Sequence, residues 1–259
     1  MIGGRSALLG ARSSGVDSDA LAYIALVEAA DGQALEIGVN NAINTFFRGC
    51  KSDGIWSAIK ASCILAGART LAGALVPLAG TAPTNVSFVG GDYNRKNGLT
   101  GNGSTKYLNS NRLDTADPRD DMHLAAFKTV TAIAAGTLVG TTNGDFTNIS
   151  FIDNFSGVRF ASRSHPTFGA ISGGTSKFMG LSRGSRSNYT TRGDSGESVL
   201  SVSSVGAGNG IPYFIFDRNG SPYKYSGPIC FYSIGTSIDL NKLRLRLVAL
   251  FDSFATEIP

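Results

Sequence analysis

Apolar residues along the chain change period twice. Near the amino terminus Ala20, Tyr23, Ile24, Val27 and Ala30 recur at helical spacing, with Asp17 or Ser18 placed to cap the start. After Asp31-Gly32, a second helical stripe (Leu35, Val39, Ala42, Ile43, Phe46, Phe47) runs from about Gln33 to Gly49. A helical turn is expected over 55–60, and beyond it the helical period vanishes. Short apolar runs separated by turn residues predict strands at 62–66, 86–89, 123–130, 138–141, 149–152, 158–161, 177–182, 197–202, 213–216 and 229–234. Asn143-Gly144, Gly173-Gly174 and Asn219-Gly220 sit in the breaks, where tight hairpin turns need such dipeptides. The helical period returns at the end: Asp239 is a fair cap, followed by Leu240, Leu243, Leu247, Leu250, Phe251 and Phe254.

This pattern predicts a mainly β protein, an antiparallel sandwich of jelly-roll type, with a short helical segment before it and one helix after it. The expected division is a flexible arm over 1–16, a helical docking or oligomerisation segment over 17–60, and the sandwich over 61–259. The two leading helices lack the heptad run of a free-standing coiled coil. Their apolar faces must therefore lie against the sandwich or against other copies. Tyr23, Ile24, Val27, Leu35, Val39, Ile43 and Phe46 are the candidate docking face.

Composition agrees with the pattern. Glycine stands at 33 residues and charged residues at 16%, the balance of a turn-rich β protein. A net charge of +4 with scattered arginines gives no basic stripe; Arg183, Arg186 and Arg192 come nearest and read as a solvated loop, so no nucleic-acid partner is expected. The three cysteines, Cys50, Cys63 and Cys230, have no metal-ligand spacing and read as reduced core residues. No run reaches the ~18–20 apolar residues of a membrane span; the longest candidate, 61–82, is broken by Arg69 and Pro77.

Several stretches resemble the laminin-G-like and concanavalin-like jelly-roll family, in the form common among particle proteins of tailed bacteriophages. They are Asp53-Gly54-Ile55-Trp56, residues 82–88, the run from Asp92-Tyr93-Asn94-Arg95-Lys96 to Tyr107-Leu108, and residues 231–240. The resemblance spans roughly residues 50–259. It implies a structural protein of a phage virion, folded in the host cytoplasm: an oligomeric fibre, spike or decoration subunit, with trimers favoured. Its partners would be other virion proteins and, on the outward jelly roll, a host-surface glycan. A stand-alone carbohydrate-binding module without activity is the alternative.

Catalytic constellations are weak. Glycoside hydrolysis needs two converging carboxylates, and only Glu197 lies on an expected strand. Gly193-Asp194-Ser195-Gly196 has the look of a serine-nucleophile turn, but His123 and His165 sit in no base motif. No enzyme, cofactor or resident metal is expected. One cation question stays open: Asp117, Asp120 and Asp121, just before His123, form the densest acidic cluster. Trp56 reads as core, and Tyr189, Tyr223 and Tyr225 as loop aromatics.

Overall fold

The computed structural model describes residues 15–131, 134–144, 148–155, 157–164, 169–171, 176–219 and 222–259. The expected arm, up to residue 14, His165 and the Gly173-Gly174 turn lie outside the described residues.

Among the described residues, four α-helices and sixteen strands follow in chain order. Helices α1 (Ser18–Asp31) and α2 (Ile37–Ser52) precede β1 (Ile59–Ile64), α3 (Leu71–Ala74), β2 (Thr84–Val86), β3 (Tyr93–Asn94), β4 (Gly98–Thr100) and β5 (Tyr107–Leu113). Next come β6 (Met122–Phe127), β7 (Gly136–Thr141), β8 (Ile149–Asn154), β9 (Val158–Ser164), β10 (Gly169–Ile171) and β11 (Phe178–Arg183). The chain closes with β12 (Tyr189–Arg192), β13 (Glu197–Leu200), β14 (Pro212–Ile215), β15 (Pro228–Ile229), β16 (Phe231–Gly235) and α4 (Leu240–Glu257).

The strands build two antiparallel layers. One runs β1-β16-β6-β11-β12-β13, the other β10-β9-β8-β7-β14-β5-β2, and β15-β4-β3 form a small third sheet. Leu124, Ala126, Met179, Leu181, Tyr232 and Ile234 of the first layer meet Leu108, Ile152, Phe160, Tyr213 and Ile215 of the second in the inter-sheet core. This is the sandwich that the sequence pattern predicts.

The first layer is buried on its other face too. All six residues of β6 are buried, so its sequence shows no alternation between apolar and polar. Ala125, Phe127, Phe178 and Phe231 point away from the sandwich and share a second core with α1, α2 and α4. Phe127 stacks on Phe251 at 4.9 Å, and Phe46 meets Phe231 at 6.1 Å. A side chain at Gly180 would strike Leu240, so the start of α4 crosses β11 closely there.

Local chemistry explains the helix ends. Asp17 accepts the N–H groups of Asp19 and Ala20 and the Lys51 ammonium. Gly32 closes α1 in the left-handed region, at φ +70°. Asp239 accepts the Lys242 N–H at 2.9 Å, and Arg246 forks onto Asp53 at 2.7 and 2.9 Å, tying α4 to the end of α2.

The seven residues of the expected docking face, Tyr23, Ile24, Val27, Leu35, Val39, Ile43 and Phe46, are all buried in this chain's own second core. Of the two places open to them, the structure puts them against the downstream sandwich. The expected second helix begins at Ile37 rather than Gln33, because 33–36 turn the chain and the Leu35 N–H is held by the Glu28 carboxylate.

Candidate functional site

The outer face of the second layer carries a grouping of aromatic and charged side chains, buried at Phe151, Ala161 and Asp153 and open to solvent at Tyr223. Strand alternation puts them there. Ile152 and Phe160 point into the inter-sheet core, so Phe151 and Asp153 on β8, with Arg159 and Ala161 on β9, take the opposite face. Register pairs Phe151 with Ala161 and Asp153 with Arg159. Phe151 lies over Gly140 of β7, where a Cβ would come within 2.6 Å of its own.

Beyond β14 the backbone leaves the sheet and returns. The Phe216 N–H still bonds to Leu138 O at 2.8 Å, but Phe216 itself adopts φ +68°. Tyr223 O then accepts the Thr137 N–H at 2.8 Å, and the Tyr225 N–H returns to Phe216 O at 3.0 Å. The excursion between these bonds brings Arg218 to Asp153.

Arg218 is the hub. Its guanidinium carbon lies 4.9 Å from the Phe151 ring centre and 4.6 Å from that of Tyr223. Its Nη1 lies 3.3 Å from Asp153 Oδ2. Arg159 approaches the same carboxylate with two bonds, Nε to Oδ1 at 2.8 Å and Nη2 to Oδ2 at 2.7 Å. Phe155 meets Tyr223 edge-on at 4.9 Å and carries Arg159 above its own ring. One step further, Lys224 pairs with buried Asp217 at 3.2 Å and sits 5.5 Å from the Tyr107 ring centre.

Burial pushes the Asp153 carboxyl up, while Arg159 and Arg218 pull it down; three guanidinium N–H groups on it favour the ionised form. Burial also pulls Arg218 down from the usual guanidinium range, against the field of Asp153. The buried Thr137 hydroxyl, also on this face, has no hydrogen-bond partner among the described residues. In front of the cluster lies a recess of about 450 Å³ lined by Thr142, Asn143, Gly144, Arg218, Asn219, Pro222 and Tyr223. Asn219 donates to Thr142 O at 3.0 Å and holds two of its walls together. Tyr223 is 38% exposed at its mouth. Chemically, the recess offers a partly exposed ring, amide groups and a cation braced by a buried carboxylate.

The residues singled out by sequence mostly lie elsewhere. Of the three loop tyrosines only Tyr223 is exposed; Tyr189 and Tyr225 are buried, and Tyr189 donates to Phe160 O at 2.9 Å. Trp56 is half-buried against Phe47, at 4.6 Å. The acidic cluster does not converge: Arg112 forks onto Asp117, Asp120 accepts the Ser204 hydroxyl, and Asp121 accepts the Ser237 N–H at 2.6 Å. Among the described residues no group of three or more His, Cys, Asp or Glu side chains could hold a metal ion. His123 is buried, with Nδ1 facing Thr236 O and Nε2 facing Ser233 Oγ.

Gly193-Asp194-Ser195-Gly196 forms the turn between β12 and β13, closed by a bond from Gly193 N–H to Gly196 O; Asp194 accepts the Lys177 and Phe178 N–H groups. Glu197 pairs at 3.4 Å with Arg192. The expected solvated loop needs correction at Arg183. That side chain is buried and donates to the carbonyls of Ser162, Ser185, Arg186, Asn188 and Val202, so it ties loops together from inside. All three cysteines are free and buried, and burial pushes the Cys50 and Cys63 thiols up to about 12.

Sequence reasoning missed Asp153, Arg159 and Arg218. One signal was present for the first two: they flank the β8–β9 turn with opposite charge, where antiparallel pairing makes them face each other. Arg218 gave none, because a lone arginine beside Asn-Gly reads as an exposed turn.

No protein-family model and no curated protein matches the sequence. Among solved structures, the chain is similar to domain 4 of AbnA, an extracellular arabinanase from Geobacillus stearothermophilus in complex with arabinotriose. That match has 11% identity and a TM-score of 0.37, over 65% of this chain and 82% of that one. A Trypanosoma rangeli sialidase overlaps at 10% identity and a TM-score of 0.43, over 85% of this chain and 40% of its own. A GH54 α-L-arabinofuranosidase overlaps at 11% identity and a TM-score of 0.39, over 76% and 44%. The chain thus spans about two fifths of the sialidase and the arabinofuranosidase.

Proposed function

We propose that this chain is a carbohydrate-binding β-sandwich protein without catalytic activity, and that it takes its glycan at the Tyr223 recess. The carrying observation is Tyr223 itself: a ring 38% exposed at a polar recess and stacked on a guanidinium that Asp153 braces from below. A planar ring offers a sugar face an apolar contact while only two side-chain torsions need ordering. The amides of Asn143 and Asn219 supply directional contacts for hydroxyl groups.

The absence of catalysis is argued from the carboxylates nearest the recess. Asp153 is engaged by Arg159 and Arg218, and Asp217 by Lys224 and the Arg218 N–H. Neither carboxylate is among the residues that line the recess, and a general acid must lie within hydrogen-bond reach of the group that it protonates. In the phage setting implied by the sequence resemblance, the same recess would face the host surface. That setting rests on the Asp92-Tyr93-Asn94-Arg95-Lys96 element and the helical preface, and its check is whether the chain is found in purified virions.

The test of the binding reading is a screen of host-surface and bacterial polysaccharide glycans, followed by titration of the best ligand. Tyr223→Ala should weaken binding at least tenfold while leaving the melting temperature within a few degrees. A chain that binds no glycan, or a variant that binds as well as the parent, would sink the proposal. Polysaccharide turnover abolished by Asp153→Asn would replace it with an enzymatic one.

A further inference from the structure

Helix α1 is apolar on every side. Residues 20–27 are eight consecutive apolar residues, so neither face can be polar. Ala20, Tyr23, Ile24 and Val27 fill the second core. Leu21 and Leu26 point the other way and are 53% and 58% exposed, with Ala22, Ala25 and Ala29 exposed between and beyond them. A helix of this kind is normally covered all round.

We propose that a second copy of this chain covers that face, through an antiparallel pairing of the two α1 helices about a two-fold axis. The pattern of the face itself argues for a copy. In a pair centred between Tyr23 and Ile24, Leu21 lies opposite the other copy's Leu26 and Ala22 opposite its Ala25. Ser18, also exposed, lies opposite Ala29. The exposed set maps onto itself, as a two-fold interface requires. The alanines at the middle let the backbones approach, and the leucines flank them.

Area sets the strength. Half the surface of a helix about 20 Å long presents roughly 400 Å². Two such faces bury about 800 Å², at the weak end of specific association. The pair is therefore concentration-dependent rather than permanent.

Sedimentation of the full chain over roughly 10 µM to 1 mM, the concentrations at which a weak pair forms, should show mass rising from that of one chain toward two. Leu26→Glu should hold the chain at single mass with unchanged circular dichroism and melting temperature, because the position is exposed. Under oxidation, a mixture of Ala22→Cys and Ala25→Cys chains should cross-link more than either alone; the native cysteines are buried and do not compete. A parent chain that stays single across the range overturns the proposal. So does a Leu26→Glu chain that pairs like the parent, or cross-linking no stronger in the mixture. A chain that pairs only after removal of residues 2–14 would assign this face to the amino-terminal segment and also overturn it.

Discussion

The Glu36 carboxylate meets the Arg95 guanidinium in a fork, Nη1 to Oε1 at 2.9 Å and Nη2 to Oε2 at 2.6 Å. Glu36 immediately precedes α2, and Arg95 lies in the turn between β3 and β4, so the pair joins the helical preface to the small sheet. Arg95 also donates to the carbonyls of Gly67 and Ala68, and Arg69 approaches Glu36 at 3.2 Å. One planar cation thus holds three segments that are distant in sequence.

Replacing Arg95 should cost more than an ordinary surface pair, because two backbone carbonyls lose their donor with it. Arg95→Ala is expected to lower unfolding free energy by about 2–3 kcal/mol. Arg95→Lys should recover less than half, since an ammonium cannot reproduce the fork. Urea denaturation measures both, and a Lys variant as stable as the parent would show that charge alone matters. The Arg95 guanidinium also holds the Glu36 carboxyl down at about 2, against an ordinary value of 4.5. Its contribution is therefore complete above pH 4.5 and is lost as pH falls toward 2. With the pair one-fifth exposed, screening limits that loss to about 1–2 kcal/mol.

The second core argues that preface and sandwich fold together. Phe46 is buried against Phe231 of β16, and α4 packs on both α2 and the sheet. Phe46→Ala should cost about 3–5 kcal/mol and still give one cooperative transition. A chain beginning at residue 61 should fail to fold, because the outward apolar face of β16, β6 and β11 would meet water. Calorimetry of the full chain decides it: two separate transitions would restore an independent helical module.

What the sequence made legible follows from burial on one side. Val27, Phe47, Leu243 and Leu250 repeat at helical spacing because each helix has a buried stripe, and the structure places those stripes where the spacing put them. Most expected strands hold to within a few residues; β3, β4, β5, β10 and β12 were not among them, since most are too short, and β5 (Tyr107–Leu113) too polar, to stand out as apolar runs. The purpose of the helical stripe was harder, because periodicity reports that a face is covered and not what covers it. The charged interior was hidden for another reason. Arg163, Arg183, Asp114 and Asp153 are buried, and each is made tolerable by partners remote in sequence, such as the Asn209, Gly210 and Ile211 N–H groups on Asp114. Such partners exist only after folding.

His123 sets a pH window of its own. Burial pulls the imidazole down from 6.5 to about 4, with Nδ1 placed to donate to Thr236 O and Nε2 to accept from Ser233. Between pH 6.5 and 4 the unfolded chain takes up a proton that the folded chain refuses. Stability is therefore full above pH 6.5 and falls through that window, by about 1.4 kcal/mol per pH unit and roughly 3 kcal/mol in all. Urea midpoints at pH 7, 6 and 5 should show the slope, and His123→Gln should flatten it. An equal slope in the variant would assign the effect to other groups.

Asp153 tests whether the charged face of the second layer is a brace for Tyr223 or only a tolerated burial. Its carboxylate is inaccessible to solvent and joins Arg159, whose side chain is 30% exposed, to Arg218, whose side chain is 5% exposed. Asp153→Asn keeps the shape but leaves both guanidiniums facing an amide. Arg159 can turn to water; Arg218, held between Phe151 and Tyr223, cannot. The cost should fall mainly on Arg218, about 3 kcal/mol for a buried cation that loses a carboxylate partner. Asp153→Asn together with Arg218→Met should then be more stable than Asp153→Asn alone, because the second change removes the buried charge that the carboxylate balanced. The double variant should still lose glycan binding, since Tyr223 no longer rests on a guanidinium anchored to the sheet. A double variant that is stable and binds as the parent does would make the ion pairs incidental to the site.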